Sequence, residues 1–186
     1  MKKVKVISKN KHFKNKRGQI WIETVLYTLI ALVLIGLVLA FAVPRIQEAQ
    51  DKSVIEQSLD VLEEIDLIIS ELGGPGNQRR LYLKISKGEF VINGTSDSLF
   101  FNLESKHEYS EEGLTIKIGS VDVITERNEG AYKVKLTKDY SSRYNITYNA
   151  EDITEKISRA STPYNIIVSN RGLDSSSRII INLEIV

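Results

Sequence analysis

Twenty consecutive residues, Thr24 to Val43, carry no charged side chain. Wound as an α-helix at about 1.5 Å per residue, they reach about 30 Å, the hydrocarbon thickness of a bilayer. The run is preceded by "KRGQIWIE", which ends on a single carboxylate, Glu23. A carboxylate in hydrocarbon is costly unless it stays wet or meets a cation. Two readings of Glu23 follow: it sits at the inner headgroup boundary with Trp21 as an interface aromatic, or it takes a positive partner inside the membrane.

Charge is distributed unevenly around this span. Residues 1–18 hold eight of the 25 basic residues and no acidic one, which leaves 17 basic against 24 acidic residues from 19 to 186, a net charge of −7. Basic residues directly before an apolar span are retained on the cytoplasmic side, so the rest of the chain is expected outside. Lysine clusters also bind nucleic-acid phosphates, but the adjoining span and the acidic remainder argue against a nucleic-acid partner. There is no cysteine, so neither disulfides nor thiolate metal sites exist.

No small-residue cleavage site follows the span, so it is expected to stay attached. Pro44 removes the hydrogen bond to the carbonyl of Ala40, yet helix-favouring residues resume at once. Ile55, Leu59, Leu62, Ile65, Ile69 and Leu72 then recur in steps of three and four, the stripe of an amphipathic helix. Its other face is expected to be acidic, with Glu48, Asp51, Glu56, Asp60, Glu63, Glu64, Asp66 and Glu71. "GGPGN" supplies the stop: Gly73 is expected to take a left-handed cap conformation, and Pro75 cannot extend a helix. A helix from Gln19 to Leu72 would span about 80 Å.

From Arg79 the apolar period falls to two. Leu81, Leu83 and Ile85, then Leu114, Ile116 and Ile118, then Tyr132, Val134 and Leu136 alternate with polar or amphipathic residues, as half-buried strands do. "SKGE", "NGTSD", "RNEGA" and "NRGLDSSS" read as turns, with Gly88 and Gly130 as turn glycines, and "SRIIINLEIV" as a closing strand. "AEDITEKIS" fits either strand or short helix. The fold class is therefore α+β: a long N-terminal transmembrane and assembly helix followed by an antiparallel, β-sandwich-like head. The expected divisions are 1–18 as a basic leader, 19–43 as the apolar helix, 44–72 as its amphipathic extension, 73–78 as a Gly/Pro linker and 79–186 as the head.

"KRGQIWIE" resembles the class III signal peptide of archaeal type IV pilins and archaellins. The resemblance is specific over residues 14–43 and generic beyond, where that family shares a long helix and a β-rich head. It implies that a membrane-embedded prepilin or preflagellin-type peptidase cuts between Gly18 and Gln19, with Lys16 and Arg17 as the basic residues before the cut. The apolar helix is then kept, and Glu23 becomes the fifth residue of the mature chain, where related pilins often carry a glutamate. Cleavage would leave an α-ammonium on Gln19. A neighbouring copy's Glu23 could meet it and set the axial register, an arrangement that serves specificity more than net stability.

Gly36 and Ala40 form a small-xxx-small pair suited to close helix packing. Asn93 and Asn145 head the sequons "NGT" and "NIT" and are candidate N-glycosylation sites, which the resemblance also favours; alternation places Asn145 and Thr147 on the face opposite Tyr144, Ile146 and Tyr148, toward solvent. No catalytic set stands out. His107, the only histidine after the leader, lies in a polar loop and reads as a solvated residue. Glu108, Glu111 and Glu112 match no calcium-loop spacing, and "GGPGN" follows a helix and lacks a lysine, unlike a phosphate loop. No metal and no cofactor is expected.

The leading expectation is a non-enzymatic structural subunit of an archaeal type IV pilus-like extracellular filament. Its partners would be further copies of itself, the leader peptidase, the membrane and a pilus assembly platform. The alternative is a membrane-anchored or minor-subunit adhesion module that displays the same head at the cell surface.

Overall fold

A computed structural model describes residues 16–186, and side chains from Ile20 onward. The leader expected at 1–18 lies for the most part outside the described residues. The chain divides into two units, Met1–Pro44 and Arg45–Val186. One helix, α1 (Lys16–Glu71), begins in the first and ends in the second, and Pro44 lies inside it. The helix thus starts three residues earlier than expected and ends one residue sooner.

Ten strands follow: β1 (Gln78–Leu83), β2 (Glu89–Asn93), β3 (Ser98–Ser105), β4 (Thr115–Ile118), β5 (Val121–Asn128), β6 (Ala131–Asp139), β7 (Tyr144–Tyr148), β8 (Thr154–Ser158), β9 (Tyr164–Leu173) and β10 (Ile179–Ile185). They form a four-stranded sheet ordered β1-β9-β10-β7 and a six-stranded sheet ordered β4-β5-β6-β3-β2-β8. All pairs are antiparallel except β10 with β7. The ambiguous "AEDITEKIS" resolves as edge strand β8. The α+β reading, a long apolar helix followed by a β-sandwich-like head, holds.

Period-two alternation produces the core. Phe90 and Ile92 of β2, Leu99, Phe101 and Leu103 of β3, Val121 and Val123 of β5, and Val134 and Leu136 of β6 are all buried. From the four-stranded sheet come Leu81, Leu83, Ile166, Val168, Ile181 and Leu183. The amphipathic stripe of α1 joins the same cluster through Ile55, Leu59, Leu62, Ile65 and Ile69. Burying each of these side chains contributes roughly 1.5–3 kcal/mol, as an upper estimate against an extended chain. The weakest of the expected alternations is the one at β4, where Leu114 lies outside the strand and is half-exposed while Ile116 and Ile118 are half-buried.

The acidic face of α1 is narrower than the spacing suggests. Glu56, Asp60, Glu63, Glu64 and Glu71 are exposed, but Asp51 is buried and Asp66 half-buried. Asp51 accepts from Lys87 Nζ at 2.5 Å and from the backbone N–H of Lys106 at 2.6 Å. Asp66 Oδ2 accepts from Lys138 Nζ at 2.8 Å and Ser120 Oγ at 3.0 Å. The two carboxylates lie about 22 Å apart along the helix axis, so they tie the part of α1 that belongs to the second unit to loops and strands of the head at two separate points. Beside Asp66, burial of the Tyr140 hydroxyl, reinforced by the carboxylate charge, pushes its pKa far above the ordinary phenol value.

The helix stop uses a different glycine from the one expected. Gly73 has an ordinary negative φ; the left-handed position is Gly76, at φ +88°. Leu72 N–H reaches back to the Ile69 carbonyl at 3.3 Å, and the chain then turns with Asn77 N–H donating to the Gly74 carbonyl at 3.2 Å. Pro75 and Gly76 are the central pair of a type II turn, which needs positive φ at its third position. Asn170 ties this linker to β9, its Nδ2 donating to the Gly73 carbonyl at 2.8 Å while its Oδ1 accepts from Gly172 N–H at 2.9 Å. Asn170→Ala is expected to cost about 2 kcal/mol, read as a lower urea midpoint at unchanged slope for the full chain in mild detergent.

"NRGL" is strand, not turn. β9 continues through Leu173 because a bulge leaves Arg171 unpaired between the Asn170–Ile181 and Gly172–Ile180 pairs, with Gly172 beside it at φ +103°. Only "DSSS" turns. Asp174 accepts from the backbone N–H groups of Ser176 and Arg178 at 2.8 and 2.9 Å. The Arg178 amide bond is the leading cause that holds its carboxyl below the ordinary value, so this contribution is present above the unfolded-state pKa and is lost as pH falls through the folded one.

Candidate functional site

Among the described residues, the first unit presents an apolar helix surface. All seventeen large apolar side chains from Ile20 to Val43 are exposed, with between 46% and 72% of their surface open. Leaving them in water rather than in an apolar medium costs on the order of 25 kcal/mol or more, so this surface requires lipid or other helices around it. The helix is long and apolar enough to cross a membrane. Its polar groups suit such surroundings: Thr24 Oγ1 donates to the Ile20 carbonyl at 3.0 Å, and Thr28 Oγ1 to the Thr24 carbonyl at 2.8 Å, so both hydroxyls are satisfied within the helix.

Glu23 is exposed and lies one helical turn from Gln19. The expected cut between Gly18 and Gln19 falls inside the first turn of α1. The side chains of Lys16, Arg17 and Gln19 lie outside the described residues. A Cβ added at Gly36 would meet nothing within 4 Å. Among the described residues of one chain, therefore, nothing uses the absent side chain there, and Ala40, one turn on, is exposed as well.

The two sequons differ. Asn93 closes the β2–β3 turn: its Oδ1 accepts from Thr95 Oγ1 at 2.7 Å, Ser96 N–H at 3.2 Å and Thr154 Oγ1 at 3.1 Å. Its amide nitrogen, the atom a sugar would join, takes part in none of these bonds. Asn145 and Thr147 do alternate with Tyr144 and Ile146, but their face is covered. Asn145 is half-buried, and Thr147 is buried with its hydroxyl donating to Asn182 Oδ1 at 3.0 Å. His107 is half-buried, its ring edge-on to Tyr109 at 6.3 Å. Glu108 accepts from the Tyr132 hydroxyl at 3.1 Å.

A polar knot that the sequence does not announce holds the head together. Asp97, buried at φ +49°, accepts from the backbone N–H of Ile146 at 2.9 Å and from Arg178 Nη1 at 2.5 Å. Arg178 Nε donates to Asp174 at 3.0 Å. The β2–β3 turn of one sheet is thereby tied to β7 and the β9–β10 turn of the other. Asp97 is 49 positions from Ile146 and 81 from Arg178, and no local period links them.

No protein-family model, no curated protein and no solved structure matches the chain.

Proposed function

We propose that this protein is a structural, non-enzymatic subunit of an extracellular type IV pilus-like filament. In this reading the chain inserts through Ile20–Val43 with its basic leader cytoplasmic and its head outside, is trimmed after Gly18, and polymerises through α1. The observation that carries it is the wholly exposed apolar helix with one carboxylate at its start, four residues after the expected new N-terminus. A plain anchor needs the apolar residues but has no use for a carboxylate at that place. In a shared stem, the Gln19 ammonium of one copy and Glu23 of the next neutralise each other. The exposed surfaces of Gly36 and Ala40 then allow close backbone approach between copies.

Antibody raised against residues 79–186 tests this reading on the native cell surface. Labelling along the length of sheared filaments is the expected result. Labelling confined to filament tips or to the membrane would favour the second reading, an adhesion module, and refute the polymer.

A further inference from the structure

We propose that Asn93 carries an N-linked sugar while Asn145 stays bare, an inference that rests on the reading that places the head outside the cell. Both asparagines head a sequon, which requires a hydroxyl two residues on. The reaction is the same at either. Asparagine Nδ2 bonds to the anomeric carbon of a sugar activated as a phosphate or diphosphate ester. The bond from that carbon to the phosphate oxygen breaks, its electron pair leaves with the phosphate, and the nitrogen gives up one proton. An acceptor must therefore present Nδ2 and the second hydroxyl together to a transferase.

Asn93 does so. It pairs with Ser98 at the end of the β2–β3 hairpin, and the chain turns between them with Thr95 and Ser96 exposed at the tip. Its donors fix the orientation of the amide. The Ser96 N–H can only donate, so the atom it meets is Oδ1, and the hydroxyls of Thr95 and Thr154 converge on that same oxygen. Nδ2 is left on the other side, with no partner among the described residues, and it reaches solvent. The Thr95 hydroxyl stands 2.7 Å from the amide oxygen, so both required groups lie side by side on one turn. The middle residue faces inward: a Cβ on Gly94 would stand 2.9 Å from the carbonyl oxygens of Ile146 and Ile153. Glycine lets the turn sit against the head while Thr95 stays outside.

Asn145 fails on the hydroxyl. Thr147 is buried and its Oγ1 donates to Asn182 Oδ1 at 3.0 Å. The strand that carries this sequon is also held at both edges. β10 pairs along one, with Ile180 opposite Asn145 and Asn182 opposite Thr147. On the other, the Asp97 carboxylate takes the Ile146 N–H at 2.9 Å. Freeing Thr147 for a transferase therefore requires unpairing β7 from β10, whereas the hairpin turn at Asn93 needs no strand to be undone.

The test is peptide mass spectrometry of the full chain taken from its native membrane or sheared surface fraction. Cleavage after lysine and arginine puts the two sequons on separate peptides, 88–106 and 144–156. The first is expected to carry a sugar mass and the second to be bare. Thr95→Ala removes the second hydroxyl and leaves Asn93 in place; it is expected to abolish the sugar mass, and Thr95→Ser to keep it. A bare 88–106 peptide, an undiminished sugar in Thr95→Ala, or its loss in Thr95→Ser overturns the proposal. A sugar on 144–156 overturns it too, since the transferase would then act before β7 pairs. Antibody to residues 79–186 on intact cells separates the two ways of failing. A labelled head with a bare 88–106 peptide overturns this proposal alone, whereas an unlabelled head with both peptides bare refutes the outside location on which it rests.

Discussion

Glu23→Gln is expected to leave membrane insertion intact and to lower the yield of the proposed filament at least about tenfold. Insertion depends on the apolar run from Thr24 to Val43, which the substitution does not touch, and a neutral amide enters hydrocarbon more readily than a carboxylate. Assembly is another matter. In the proposed stem each Gln19 ammonium is compensated by a carboxylate of a neighbouring copy. Removing one partner of a buried charge pair leaves the other uncompensated, at a cost of about 3–5 kcal/mol for each contact. One such loss per subunit already exceeds the tenfold equivalent of about 1.4 kcal/mol. Fractionation and electron microscopy of sheared material read the two quantities separately. Normal filaments from Glu23→Gln would leave the carboxylate as a wet residue beside Trp21 and remove its register role.

The second large effect falls on the head. Asp97→Ala is expected to destabilise it by about 3 kcal/mol, roughly 10 °C in melting temperature. Three losses combine. The buried amide of Ile146 forfeits its acceptor, Arg178 keeps a charge with only Asp174 to meet it, and alanine must adopt the left-handed φ of +49° that aspartate tolerates. Asp97→Asn separates the causes. It keeps an acceptor for Ile146 and tolerates the same φ, so it should recover at least half the loss. Equal melting temperatures for Asp97→Ala and wild type would mean that the knot between the sheets contributes nothing.

The parts of the fold that were legible in the sequence are those governed by short repeats. A step of three or four places Ile55, Leu59, Leu62, Ile65 and Ile69 against the core, and a step of two does so for Leu81 and Leu83 or Val134 and Leu136. Composition alone marks the apolar helix. What stayed hidden is set by partners distant in the chain. Asp51 and Asp66 share the spacing of the exposed acids on α1, and only Lys87 and Lys138, 36 and 72 positions away, distinguish them. Asn145 alternates as expected, yet Asn182 in a strand with no local link to it closes over Thr147. "NRGL" contains the glycine of a turn, but the pairing with β10 keeps that glycine in the strand, opposite Ile180 and next to the bulged Arg171.

The central claim is that trimming frees an ammonium at Gln19 to face Glu23 of another copy. Mass spectrometry of the N-terminal peptide, from protein taken directly from its native membrane or sheared surface fraction, tests it most directly. A mature chain that begins at Gln19 is the predicted result. A chain that retains its lysine-rich leader, or one that starts beyond Val43, would contradict it.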